Sequence, residues 1–121
     1  MLHKVQMLVA CGSLLLSTQA VAAEQREIGY PDGSLGVNAI MSGDYSTAER
    51  QIRASNVSKY DPARALNLGF VLANKGETDK AAKQFRRVLV EENVELVLAN
   101  GSTVASHEAA RRALASLQTA H

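Results

Sequence analysis

The chain has 121 residues, enough for one domain, with a formal net charge of +1. Lys4 is the only charged residue among the first 23, and residues 24–121 carry equal numbers of basic and acidic side chains, a balance that gives no long-range pull on nucleic acid or an anionic membrane. Cys11 is the sole cysteine, which excludes an internal disulfide, and the absence of Trp leaves the core to Leu, Val, Ala and a few rings.

Residues 1–23 read as a secretory signal peptide of bacterial type. Met1 to Lys4 is weakly basic, Val5 to Leu16 is apolar, and Thr18 to Ala23 has the small-residue pattern of a cleavage site after Ala22 or Ala23. The apolar run is too short to cross a bilayer comfortably, so the expectation is no membrane span and a mature chain in the periplasm beginning near Glu24. Leu8 to Gly12 also resembles a lipobox, in which Cys11 would be lipidated and tether the protein. Against this alternative, only ten residues precede Cys11 and the apolar run continues past it.

Residues 24–33 form a flexible lead-in, with a turn at Pro31-Asp32-Gly33 and Tyr30 placed to tuck against the first hairpin. Residues 34–60 hold a short helix over Ser34 to Ser42, weakened by Gly33 and Gly36, a second over Asp44 to Ser55, and a link to Tyr60. Residues 61–95 hold a stronger pair. Asp61-Pro62 starts a helix, because the carboxylate accepts from orphan amides and Pro fits the first helical position. Ala65, Leu68, Gly69, Leu72 and Ala73 make its apolar face as far as Lys75, and Gly76 ends it in a left-handed turn. Thr78 or Asp79 caps the next helix, to Glu92, whose face is Ala81, Phe85, Val88 and Leu89. Gly69 and Ala81 are the small residues expected where the two helices cross, with Phe85 beside them.

Leu35-Gly36, Gly43, Ala48 and Ile52 stand 33 residues before Leu68-Gly69, Gly76, Ala81 and Phe85. With Leu68-Gly69, Leu72, Gly76, Ala81 and Phe85 in place at a period close to the family's ~34 residues, the chain resembles the tetratricopeptide repeats. It departs from the family pattern at Ala65, Val88 and Asn93, where Trp, Ala and Pro are common. The resemblance implies two helical hairpins, the first degenerate, and a concave surface that holds a peptide or helix of a partner protein. On this chain that surface would comprise Ala63, Leu66, Asn67, Phe70, Ala73 and Asn74. Leu66 and Phe70 leave the opposite side of the helix from Leu68 and Leu72, and Asn67 and Asn74 would bond a peptide backbone. The alternative is that Leu66 and Phe70 are covered by the first hairpin or the lead-in. Only Arg64 and Lys75 lie nearby, too few cations for a clamp on a C-terminal carboxylate.

Residues 96–121, with Val94 and Glu95 before them, complete the chain. Val94, Leu96 and Leu98 alternate, Asn100-Gly101 is a tight-turn signal and Thr103-Val104 could return, so this stretch is a β-hairpin or an extended loop. Ser106 then caps a last helix to Ala120, whose stripe Ala110, Ala113, Leu114 and Leu117 would seal the stack. The expected fold is therefore all-α: a short α-α superhelix of two hairpins and a capping helix, with room for a small β-hairpin.

The residues offer little chemistry. Of the histidines, only His107 lies within the folded part, without a second His or Cys nearby, and reads as solvated rather than as a metal ligand. Glu91, Glu92 and Glu95 read as a solvated acidic group, and Lys80, Lys83, Arg86 and Arg87 as a solvated convex face. The expectation is no enzyme, metal or cofactor, but an adaptor or assembly factor of the cell envelope with a protein or peptide partner. The alternatives are a self-associating structural subunit and a lipid-anchored lipoprotein.

Overall fold

The computed structural model describes residues 7–8, 27 and 29–119. Among these are, in order, β1 (Met7–Leu8), α1 (Val37–Met41), α2 (Tyr45–Ala54), α3 (Pro62–Asn74), α4 (Thr78–Val90), β2 (Glu95–Leu98), β3 (Thr103–Ala105) and α5 (Ser106–Thr119). The chain is mainly helical, with one small sheet. The cleavage site and Cys11 lie outside the described residues.

Consecutive helices pack on one another from α1 through α4, α5 lies on α4 and α3, and one core runs from Leu35 to Ala110. The lead-in is anchored rather than flexible at two points. Glu27 is buried, and its carboxylate accepts from the backbone N–H of Leu35 at 2.6 Å and of Val37 at 3.1 Å. Tyr30 donates its hydroxyl to Asp61 at 2.8 Å. A buried carboxylate is stable only when such donors answer it, and here the donors are amides before and at the start of α1, which have no intrahelical acceptor. α1 starts at Val37, not at Ser34, because Gly36 at φ 67° is left-handed and breaks the helical path.

Both hairpins then turn by the same device. At the end of α1 the Asp44 N–H reaches the Ala39 carbonyl at 2.9 Å and the Gly43 N–H reaches Ile40 at 3.0 Å. At the end of α3 the Glu77 N–H reaches Leu72 at 2.9 Å and the Gly76 N–H reaches Ala73 at 3.1 Å. These are paired Schellman closures, which need a left-handed residue after the cap; Gly43 and Gly76 supply it at φ 78° and 81°. Asp44 caps α2 through Thr47, and Asp61 caps α3 through Ala63 and Arg64. The cap position of α4 is Glu77 rather than Thr78 or Asp79, and its side chain makes no capping bond.

Glycine contacts repeat at the same spacing. A Cβ built on Gly69 would fall onto the ring of Phe85, meeting Cε1 and, at 2.8 Å, Cδ1 and Cζ. A Cβ on Gly36 would meet Ile52 at 3.2 Å. Gly36 and Gly69 are 33 residues apart, as are Ile52 and Phe85, so each glycine faces the equivalent partner, although Gly36 precedes its helix and Gly69 lies inside one.

The hairpin forms. β2 and β3 are antiparallel, pairing Leu96 with Val104, and Leu96 is fully buried under the sheet. β1 runs parallel to β2 on its outer edge, Met7 opposite Val97. Asn93 and Ser106 fasten the hairpin to α5. The Ser106 hydroxyl accepts from the Val94 N–H at 2.9 Å, while the Asn93 side-chain oxygen accepts from the His107 N–H at 3.0 Å. The orphan amide at the start of α5 is thus met by Asn93, thirteen residues before Ser106, the residue expected to cap it.

Candidate functional site

The six residues expected on a concave surface all lie on α3, and the structure divides them. Ala63, Leu66 and Asn67 are buried. Asn67 donates through Nδ2 to the Leu35 carbonyl at 3.0 Å, so its amide ties α3 to the turn before α1 and offers nothing to a peptide backbone. Leu66 is part of the shared core. The first hairpin covers this end of α3, because α2 packs along it and Leu35 sits over Asn67. As placed, these three residues are not an open surface.

Phe70, Ala73 and Asn74 form the other set. Phe70 and Ala73 are half-buried and Asn74 is exposed. Phe70 leans edge-on against Tyr45 of α2, with ring centroids 6.2 Å apart and planes at 68°. Such pairs favour a defined geometry, and they leave part of both rings facing outward. Asn74 donates to the Phe70 carbonyl at 2.9 Å, which sets its amide at the end of α3. Next to this strip, Lys75 pairs with Glu49 at 2.8 Å, and Glu49 also receives Arg53 at 2.8 Å. These two partners, Lys75 first, hold the Glu49 carboxyl below the usual carboxylate range. The strip Tyr45–Phe70–Ala73–Asn74 therefore has an apolar centre and a fixed polar end.

The remaining polar groups serve the framework. His107 is not simply solvated: its Nε2 lies 2.7 Å from the Glu91 carbonyl, which can only accept, so this nitrogen carries the proton and closes the end of α4. Glu92 and Glu95 are exposed. Lys80 pairs with Glu77, and Lys83 and Arg86 are exposed, but Arg87 is half-buried against Tyr60. Among the described residues no group of three His, Cys, Asp or Glu could hold a metal ion, and no helix is long and apolar enough to cross a membrane.

No family model matches this chain, and neither the curated proteins nor the solved structures contain a match to it.

Proposed function

We propose that this chain is a non-enzymatic protein–protein interaction module of the bacterial periplasm or cell envelope, an adaptor or assembly factor. In this reading α1–α2 and α3–α4 are two tetratricopeptide-like hairpins of a short superhelix, and α5 caps it. The twin Schellman turns and the twin glycine contacts support that architecture. The observation that carries the function is the half-open strip of Phe70, Ala73 and Asn74 beside Tyr45. Tyr45, Phe70 and Ala73 pack partly on the core and keep part of their apolar surface open to a partner. The binding residues are reduced to this strip, with Ala63, Leu66 and Asn67 supporting it from below.

Site-specific cross-linking in the native cell tests the reading. A photoreactive residue at Asn74 should capture a discrete partner, and one at Arg112 on α5 should not. Capture at neither site, or equally at both, contradicts it.

A second reading, self-association, is favoured by the strand seated on the outer edge of β2. If residues 1–23 leave as a signal peptide, that edge is free to pair with a copy. Light scattering of residues 24–121 separates the two: a monomer at every concentration rules out the second. Mass spectrometry of the native N-terminus distinguishes cleavage near Ala23 from a lipid on Cys11.

A further inference from the structure

A second surface lies where α2, α3 and α4 meet the segment between the hairpins. Arg64, in the first turn of α3, donates through Nη2 to the Ile52 carbonyl at 3.4 Å, which brings its guanidinium to the end of α2 beside Arg53. Arg87, in the last turn of α4, lies with its guanidinium carbon 5.9 Å from the centroid of the Tyr60 ring. Lys59 places Nζ 5.4 Å from the same centroid. Tyr60 is 54% exposed, one of the few large apolar side chains that are. Lys59 and Arg87 thus lie on one open ring, and Arg64 is close enough to Arg53 and Arg87 to feel both charges.

The acidic groups within reach are already committed. Glu49 is shared between Arg53 and Lys75. Asp61 caps α3 and accepts from Tyr30. Among the described residues Lys59, Arg64 and Arg87 have no ion pair. The Nε of Arg64 is buried without a hydrogen-bond partner. Burial, and then the charges of Arg53 and Arg87, push Arg64 below the usual arginine range, with Asp61 acting the other way. Like charges drawn together and partly stripped of water destabilise the free protein, and an anion bound among them relieves that.

We propose that Lys59, Arg64 and Arg87, with Arg53 at the edge, form a site for the carboxylates of an acidic peptide segment on a partner protein. The class follows from the surroundings. The cations are few and local, on a chain whose formal net charge is only +1, so no extended field is present for a nucleic acid backbone. Arginine forks suit carboxylates, and the exposed part of Tyr60 offers apolar contact to a neighbouring side chain. The site is separate from the strip on α3 and stands whether or not that strip binds a partner.

Fluorescence anisotropy of the full chain with a fluorescein-labelled peptide of alternating Glu and Ser tests this at low and at physiological salt. The peptide should bind and weaken with salt, while its Gln counterpart should not bind. The double variant Arg64→Gln/Arg87→Gln should weaken binding about tenfold or more. The charge-matched variant Arg111→Gln/Arg112→Gln on α5 should stay within about twofold of wild type. Lys59→Gln/Arg87→Gln, which spares the partly buried Arg64, replaces the first variant if that one melts early. The proposal is overturned if the Glu peptide fails to bind, or if the α5 variant loses as much as the cluster variant. It is also overturned if inorganic phosphate or a single-stranded oligonucleotide displaces the label at lower concentration than the unlabelled Glu peptide.

Discussion

Replacing Gly69 with Ala puts one methyl group where the structure has none to spare. The new Cβ would stand on the edge of the Phe85 ring, with two ring carbons at 2.8 Å and a third closer still. The ring cannot swing into solvent, because Phe85 is 3% exposed and held in the core. Either the ring leaves its preferred rotamer or α3 and α4 move apart, and with every contact under 3.0 Å the cost lies in the upper part of the overpacking range, about 2–3 kcal/mol. Alanine in a helix interior gains back about 1 kcal/mol over glycine. The net expectation is a loss of about 1–2 kcal/mol, a fall in Tm of roughly 5–15 °C for a domain of this size. Thermal unfolding followed by circular dichroism reads this directly. A cycle with Phe85→Leu adds a second check. Shrinking the ring makes room for the methyl, so the double variant should be more stable than the two single effects predict, by about 1 kcal/mol or more. A Gly69→Ala protein as stable as wild type, or strictly additive effects, would refute the close packing of α3 on α4 at this point.

Two further changes probe how the hairpins are joined. Asn67→Ala removes the donor to the buried Leu35 carbonyl and should lower stability by about 1–3 kcal/mol in urea unfolding; a loss under about 0.5 kcal/mol would show that the bond does not hold the hairpins together. Glu49 has a folded-state pKa below its unfolded value, so the stability it adds is present above the ordinary carboxylate range and fades as pH falls through the lowered value. Glu49→Gln should therefore be less stable than wild type at neutral pH, by under about 1 kcal/mol because the pair is partly exposed, and the gap should close in acid. A gap that stays constant with pH argues against the Lys75–Glu49–Arg53 link.

The sequence carried those features that depend on neighbours a few residues apart. Asp61 caps α3 and Gly76 takes the left-handed conformation as read, Asp44 and Gly43 repeat both features in the first hairpin, and Gly69 faces Phe85. The β-hairpin, open against an extended loop on the sequence, follows the alternation of Val94, Leu96 and Leu98, with only Leu96 fully buried. What was not legible depends on partners far along the chain. Glu27 answers the amides at the start of α1 from eight and ten residues away. Asn67 points inward because Leu35 is there to receive it. Leu66 shows the same limit: its place on the helical wheel says that it leaves α3 away from Leu68, but not that the first hairpin lies there to cover it. The convergence of Lys59, Arg64 and Arg87 is likewise set by how three helices meet, and only Arg87 belonged to a patch visible in the sequence.

The proposed architecture rests on two helical hairpins that pack alike at a spacing of 33 residues. Nuclear Overhauser spectra of the folded chain test this most directly. Contacts are predicted from the Gly69 α-protons to the Phe85 ring and, equivalently, from the Gly36 α-protons to the Ile52 δ-methyl group. Finding the first contact without the second, with Gly36 near some other element, would contradict the doubled arrangement.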